Sequence, residues 1–390
     1  MGRTRTKTTK GQKIECPICG ALVHVMEPHL KSDHPEMTIE EFQKRFPEAP
    51  IISDWAKEQL EQIRKEREEE ARVAGLPFLH EVFEIDRSNV DILSAVGKKP
   101  IPIHVLEKTG GSDDALIPEI NKGYVFNANE LKQVMLGVEL NIPTYIYGHK
   151  GAGKTELVEQ VCARTNRPLI RVQHTVNTEE AQIVGQWTVK DGATVFEFGP
   201  LPMAMINGWV YLADEYDFAM PNVLATYQAV LEGKPLMIKE APINQRIIKP
   251  HPNFRFFATG NTNGTGDETG LYQGVTIQNS ANYDRFGIVL NKSYLDRKDE
   301  IKILTSNTKI SEKDASNLVD FARSVREAFD AGKIGDTISP RALLSATKLG
   351  IALASFRTGL NLAFMNKLST TDKEACREFA NRLFGSDDDD

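Results

Sequence analysis

The sequence predicts an α/β fold: a parallel sheet covered by helices, a helical domain behind it, and a small metal-stapled unit with a helical spacer in front. Three observations carry this. Apolar strand candidates alternate with helical stretches from residue 144 to about 295, as a parallel sheet with crossover helices requires. Beyond residue 300 apolar residues recur at helical spacing. Near the start, Cys16, Cys19, His29 and His34 have the spacing of a tetrahedral Zn²⁺ site.

The chain is organised around residues 148–155. Gly148, His149, Lys150, Gly151, Ala152, Gly153, Lys154 and Thr155 read Gly, four residues, Gly-Lys-Thr. A short apolar strand, Thr144 to Tyr147, precedes them, and a helix from Glu156 to Arg164 follows. In that context the motif is a P-loop. Its glycines turn backbone N–H groups inward onto phosphate oxygens, and the helix N-terminus adds positive potential. The expected ligand is ATP, contacted by residues 148–155 together with Glu156 and Asp214, with Lys154 on the β- and γ-phosphates and Thr155 on Mg²⁺. The apolar run Trp209 to Ala213 ends in Asp214-Glu215, and Phe254 to Ala258 ends in Thr259-Gly260-Asn261. Polar groups at the C-terminal edge of buried parallel strands lie where α/β sheets bind ligands. Asp214 is expected to hold Mg²⁺ through water, Glu215 to polarise the attacking water, and Asn261 to orient it. The ordered trio predicts hydrolysis and not binding alone.

The 390 residues are enough for two or three domains, and 41% hydrophobic with 26% charged is an ordinary globular balance. No run approaches the roughly twenty apolar residues of a membrane helix, and no apolar signal core opens the chain, so the expected location is the cytoplasm. A net charge of −7 argues against a nucleic-acid coat but leaves room for a local basic patch. Cys162 and Cys376 fall in helical runs and are expected to pack, in a reduced compartment.

Residues 1–13 form a basic tail (Arg3, Arg5, Lys7, Lys10, Lys13), expected to be disordered and either solvated or in touch with phosphate backbones. Residues 14–50 form the finger. A unit of about forty residues buries too little apolar surface to stand alone, so a structural metal makes physical sense; four protein ligands leave it no open position. His24 is expected at the surface. Residues 51–75 read as a charged helical linker, capped by Ser53 or Asp54 and supported by Glu61/Lys65 and Glu68/Arg72. Residues 76–300 form the nucleotide domain. Its first part approaches the P-loop through a helix from Asn129 to Leu140, with adenine contacts expected but not assignable. Val184 to Phe198, with its Lys190-Asp191-Gly192 turn, reads as a β-hairpin, and Glu232 to Pro250 as a second. Pro168 to Gln173 is a strand, and a helix follows Met220. In residues 301–384, Ser311 caps a helix with Leu318, Phe321, Ala322, Val325 and Phe329 on one stripe, Ser339-Pro340 opens another, and a last helix ends near Phe384. Residues 385–390 are an acidic tail.

In order, P-loop, hairpin insert, Asp-Glu strand, second insert, Asn strand and helical end resemble AAA+ ATPases of the helix-2-insert, MoxR-like group. The segments GHKGAGKTELVEQVCARTNRP (148–168), DEYDFAMPNV (214–223), RIIKPHPNFRFFATGNTNGTGDETGLYQG (246–274) and NYDRF (282–286) are similar to the CobS-like family, the ATPase subunits of aerobic cobaltochelatase. The likeness spans roughly residues 76–305, more loosely beyond. The small unit in front resembles C2H2 zinc fingers of the Ros/MucR type. The resemblance implies an αβα sandwich with a C-terminal helical lid, Asp214 and Glu215 as the Walker B pair, and Asn261 as sensor 1. It also implies Arg285 as an arginine finger offered to the neighbouring subunit and Arg341 as sensor 2. A finger supplied in trans implies a homo-oligomeric ring, usually a hexamer. The family's partners are a von Willebrand A-domain (CobT-like) protein and a large CobN-like metal-inserting subunit acting on a corrinoid precursor. Asp217 follows the family's Asp-Glu-Tyr-Asp pattern without an evident role. The zinc finger and charged spacer depart from the family's ordinary arrangement, which bears on the client more than on the chemistry. The competing readings are a nucleic-acid-associated factor recruited by its finger, as in a phage, and a scaffold that binds ATP only to assemble.

Overall fold

Cys16 and Cys19 lie on the turn between two short antiparallel strands, Ile14–Glu15 (β1) and Leu22–Val23 (β2). The turn closes through Gly20 N–H to the Cys16 carbonyl and Cys16 N–H to the Ala21 carbonyl, both 2.8 Å. Helix α1 (Met26–Asp33) follows and carries His29, with His34 as its C-cap. Helix α2 (Ile39–Arg45) opens on a capping box in which Thr38 and Glu41 satisfy each other's backbone N–H. The core between them is four buried residues, Cys16, Met26, Leu30 and Phe42. The backbone pairing of this small unit extends past residue 50. Val25 bridges Ile52, Met26 N–H donates to the Ile51 carbonyl, and Ser53 N–H donates to the His24 carbonyl. Ser53, not Asp54, caps the helical turns at 54–59, accepting from Ala56 N–H.

The computed structural model describes residues 11–59, 75–94, 99–266, 270, 272 and 274–385. Arg3, Arg5, Lys7 and Lys10, the linker pairs Glu61/Lys65 and Glu68/Arg72, and the Asp387–Asp390 tail lie outside the described residues. The chain forms two compact units, one ending at Ile103 and one beginning at His104. The first also contains α3 (Leu79–Val82), held by Leu79 N–H to the Ile101 carbonyl and Ile103 N–H to the Pro77 carbonyl.

The second unit opens with α4 (Ala128–Leu140), capped by Asn127, and leads into β3 (Thr144–Tyr147) and the P-loop helix α5 (Lys154–Arg164). Strand β4 (Leu169–Gln173) and helix α6 (Glu180–Val184) precede the first insert. That insert is an antiparallel hairpin, β5 (Gly185–Lys190) with β6 (Ala193–Phe198). Asp191 and Gly192 form its two-residue turn, both at positive φ (52° and 78°), the backbone that a tight hairpin with right-handed twist needs. Helix α7 (Pro200–Asn207) leads to β7 (Val210–Asp214). The helical stretch after Met220 is not continuous. It breaks into α8 (Pro221–Leu224), a 3₁₀ turn at Ala225–Tyr227 and α9 (Gln228–Leu231), where the Tyr227 hydroxyl is tied down to His174 and Tyr211. The second insert is shorter than the first, β8 (Leu236–Met237) with β9 (Ile247–Ile248). Strand β10 (Arg255–Gly260), helix α10 (Ser280–Tyr283) and β11 (Ile288–Asn291) complete the sheet.

The five-stranded sheet has the order β11-β3-β10-β7-β4, every neighbouring pair parallel. All carboxyl ends therefore share one edge: Gln173 pairs with Asp214, while Gly260 and Asn291 both pair with Tyr147. One face is packed by an aromatic cluster that includes Tyr145, Tyr211, Tyr216, Tyr227 and Phe286. The helical end comprises α11 (Arg297–Thr308), α12 (Glu312–Asp330), α13 (Pro340–Ala352), α14 (Phe356–Ala363) and α15 (Thr370–Phe384). Helix α11 runs across residue 300, and its Leu304 belongs to the helical core with Leu318, Phe321, Val325 and Leu343. Ser311 and Ser339 cap as their sequence position predicts. Cys162 and Cys376 are buried, and burial pushes each thiol up to about 12. Among the described residues no helix is long and apolar enough to cross a membrane.

A buried ion pair ties the helical end together. Arg326 Nη1 donates to Glu300 Oε2 at 2.7 Å, its Nε donates to the Ile338 carbonyl at 3.1 Å, and its guanidinium lies 4.0 Å above the Tyr294 ring. Removing one partner strands the other charge. Glu300→Ala is expected to destabilise the protein by about 3–5 kcal/mol, read as a lowered midpoint in urea unfolding.

Candidate active site

The P-loop conformation rests on glycine. Gly148 has φ 149° and Gly151 φ 72°. A Cβ at Gly148 would run into the Lys292 carbonyl, and one at Gly151 into Ser339 at the start of α13. Such a loop presents backbone N–H groups on its inner side, a cradle for phosphate oxygens. The Lys154 amine bonds the Gly148 carbonyl (2.7 Å), the His149 carbonyl (3.2 Å) and Asn261 Oδ1 (3.1 Å). Burial pushes this amine down to about 8, against the pull of the Asp217, Asp214 and Glu215 carboxylates. Thr155 Oγ1 donates to Asp214 Oδ1 at 2.8 Å, and the Thr259 hydroxyl donates to the same oxygen. Lys154, Thr155, Asp214 and Asn261 are thus brought to one edge of the sheet. Glu215 joins them with a left-handed backbone (φ 53°), its N–H donating to Thr259 Oγ1 at 3.1 Å. A non-glycine residue held there is strained, and such strain concentrates at functional sites. These groups fit ATP and Mg²⁺: a glycine cradle, an amine, and a hydroxyl beside a carboxylate.

The remaining P-loop side chains face the helical end. His149 lies 3.3 Å from the Tyr272 hydroxyl and against the rings of Tyr294 and Phe329; burial lowers its pKa. Lys150 pairs with Asp336. Arg341, on the first turn of α13, is near enough to Lys154 for its charge to lower that amine's pKa. Glu156 points elsewhere: its carboxylate takes a bond from Asn121 Nδ2 at 3.1 Å. Asn121 N–H also donates to Gln160 Oε1, so the segment before α4 lies along the P-loop helix. Arg285 is not joined to this cluster. Its Nε donates to Glu232 Oε1 at 2.7 Å.

Three functional groups escape sequence reasoning. Strand β4 is an edge strand, and its Arg171 and Gln173 point to the same face. Arg171 holds Asp214 Oδ2 (Nε 2.8 Å, Nη2 2.5 Å), and Gln173 Nε2 holds Glu215 Oε2 at 3.2 Å. The signal was an Arg and a Gln two residues apart in an otherwise apolar strand. The third is Asp217, fully buried. Its Oδ2 accepts from Asn261 N–H (2.7 Å), Thr262 N–H (3.1 Å) and Thr262 Oγ1 (3.2 Å). Burial raises its pKa, and the bonds from the Asn261 and Thr262 amides oppose the shift.

In the first unit, the ligand atoms of Cys16, Cys19, His29 and His34 all lie within 4.8 Å of one another. Cys19 Sγ is 3.3 Å from His29 Nε2, and Cys16 Sγ is 4.0 Å from His34 Nε2. Tetrahedral zinc with sulfur and nitrogen ligands sets them about 3.3–3.8 Å apart; this set is somewhat more open than that, while its two thiols and two imidazoles are donors of the kind zinc takes. His29 Nδ1 lies 2.9 Å from Asp33, the carboxylate–imidazole contact that orients a metal-binding histidine. Burial opposes ionisation of Cys16, but the amides of Ile18 and Cys19 and the neighbouring side chains outweigh it and hold the thiol below its usual range. His24 is not a free surface histidine. It bonds Ser53 Oγ at 2.8 Å and packs 4.5 Å from the Trp55 ring, a structural role.

Residues 143–275 match the AAA domain of the dynein-related subfamily, and residues 300–384 match the CbbQ/NirQ/NorQ C-terminal domain. The chain is 33% identical over 283 residues to the aerobic cobaltochelatase subunit CobS of a Sinorhizobium species, covering 70% of this chain and 84% of that protein. The chain belongs to the CobS-like family of AAA+ ATPases. As a CobS-like protein it is an ATPase, and the family implies ATP and Mg²⁺ as its ligands. The von Willebrand factor A domain-containing protein 8 of Mus musculus is 27% identical over 179 residues, 43% of this chain but only 9% of that protein. A solved structure of a RuvB mutant from Thermotoga maritima aligns with 68% of this chain and 74% of its own at 14% identity and a TM-score of 0.41.

The Asp217 geometry makes a test. Asp217→Ala leaves three buried donors without their acceptor and is expected to cost about 3 kcal/mol. Asp217→Asn keeps the accepting oxygen and puts its amide nitrogen where Oδ1 has no hydrogen-bond partner among the described residues. It should therefore cost about 1–2 kcal/mol, less than Asp217→Ala, both measured by urea unfolding.

Proposed function

We propose that this CobS-like ATPase is a ring motor that hydrolyses ATP to remodel a partner complex. The observation that carries the reading is the convergence of Lys154, Thr155, Asp214, Glu215 and Asn261 on one sheet edge. The N–H groups of residues 148–155 would hold the phosphates, with Lys154 on the β- and γ-phosphates. Thr155 and Asp214 would hold Mg²⁺, which when bound neutralises phosphate charge. Glu215 accepts a proton from the attacking water, Asn261 orients that water, and the γ-phosphoryl leaves ADP as phosphate. Arg341 at the lid supplies positive charge from the side of α13. Arg285 acts on the nucleotide of the neighbouring subunit, which makes a ring, in our reading a hexamer, the active form. Its pairing with Glu232, away from its own P-loop, is consistent with a role across a subunit boundary.

The client is proposed from family membership: cobalt insertion into a corrinoid precursor, with a von Willebrand A-domain (CobT-like) partner and a CobN-like subunit. The two inserts are the proposed contact with it. They carry exposed apolar side chains, among them Val189, Met237 and Ile243, and are joined by Trp187 Nε1 donating to the Glu240 carbonyl at 2.9 Å. The finger at residues 14–50 is proposed to hold structural Zn²⁺ and to recruit the client. Between residues 14 and 50 there are seven Asp/Glu against three Lys/Arg, which favours a protein over a nucleic-acid partner.

Two experiments test this. Glu215→Gln should retain ATP binding and lose about 10²–10⁴-fold in turnover; unchanged turnover removes the catalytic assignment. Mixing inactive Arg285→Ala with inactive Lys154→Ala subunits should restore activity, because a mixed interface joins an intact P-loop to an intact arginine. For the finger, one zinc per chain is expected by elemental analysis of the full protein, lost in Cys19→Ser, with faster amide exchange over residues 14–53.

A further inference from the structure

Asp214 is more heavily bonded than a metal-site carboxylate needs to be. Oδ1 accepts from the Thr155 and Thr259 hydroxyls, and Oδ2 accepts from Arg171 Nε at 2.8 Å and Nη2 at 2.5 Å. The Arg171 guanidinium therefore neutralises the carboxylate that, in the reading above, faces the divalent cation. Arg171 also has a second carboxylate within ion-pair range. Its Nη1 lies 3.6 Å from Glu159 Oε1. Glu159 is four residues after Thr155 on α5, hence on the same helix face. The guanidinium stands between two carboxylates, one at the metal position and one a helical turn behind it. Its side chain is about half exposed whereas that of Asp214 is 5% exposed, so the arginine can turn while the carboxylate cannot.

We propose that Arg171 is a positioning residue that competes with the divalent cation for Asp214, moving toward Glu159 when the cation binds, and so sets the cation concentration at which the site fills. The physical reason is direct. A cation arriving at Asp214 meets a positive charge already there within a few ångströms, and like charges at that range cost binding energy. Glu159 lowers that cost by accepting the displaced guanidinium. Burial and the neighbouring Glu156 and Asp214 raise the Glu159 pKa, while Arg171 lowers it; a carboxyl in that setting gains from the arginine's approach. The proposal rests on Asp214 as the cation-side carboxylate, and the test separates the two.

The experiment is equilibrium binding of a fluorescent ADP analogue to the full chain, titrated with Mg²⁺ and, separately, Mn²⁺. In the parent protein this gives the half-saturating cation concentration without turnover. Arg171→Gln is expected to lower it at least about fivefold, and Arg171→Lys to leave it near the parent value. Glu159→Gln removes the second carboxylate and is expected to raise it about two- to threefold. Opposite shifts from two neighbouring substitutions are not what simple damage to the fold would give. An unchanged or raised requirement in Arg171→Gln overturns the proposal. If that variant fails to fold, as judged by circular dichroism, Glu159→Gln decides, and an unchanged value there overturns it. Asp214→Asn is the control: if it leaves the cation dependence untouched, the metal assignment of Asp214 itself fails.

Discussion

A carboxylate buried at the end of a strand is tolerable only when donors surround it. Asp214 has hydroxyls from the P-loop helix and from β10, and a guanidinium from β4. These come from three separate elements, so the charge fixes their mutual position as much as they stabilise the charge. The P-loop helix is held to Asp214 at Thr155, strand β10 at Thr259, and the edge strand at Arg171. Asp217 repeats the device three residues on, binding the Asn261 and Thr262 amides to the turn after β7. Two acidic side chains thus set where the P-loop, Glu215 and Asn261 lie with respect to one another.

The lid adds a second constraint. The Arg326–Glu300 pair also fixes the Ile338 carbonyl, immediately before the turn that carries Ser339 and Arg341. Ser339 in turn abuts Gly151. The backbone of the phosphate loop and the arginine above it are therefore positioned by one buried ion pair in the helical end.

Much of this was legible in the sequence because it is local. The Gly-Lys-Thr spacing, the Asp-Gly turn and the Ser311 and Ser339 caps each act within a few residues of themselves. The strands were legible as apolar runs, and their order along the chain put Asp214, Glu215 and Asn261 at one edge. What stayed hidden depends on pairing between distant strands. Arg171 and Gln173 acquire meaning only once Gln173 is registered against Asp214, and nothing in five residues of β4 states that register. Asp217 had no evident role because the donors it accepts from, at Asn261 and Thr262, lie more than forty residues away. His24 read as a surface residue because Ser53 and Trp55, which pin it, fall in what reads as a spacer.

The bond from Trp187 to the Glu240 carbonyl joins two hairpins that are separated in sequence by β7 and the aromatic core. The first hairpin is rooted at Gly185 and Gly199, whose backbones lie against each other so closely that neither admits a side chain. A root with no room for side chains and a cross-tie two residues from it bind the first hairpin to the loop of the second insert. Both inserts therefore keep one orientation against the aromatic core, which the first hairpin meets at Ile183 and Leu201 on the helices flanking it.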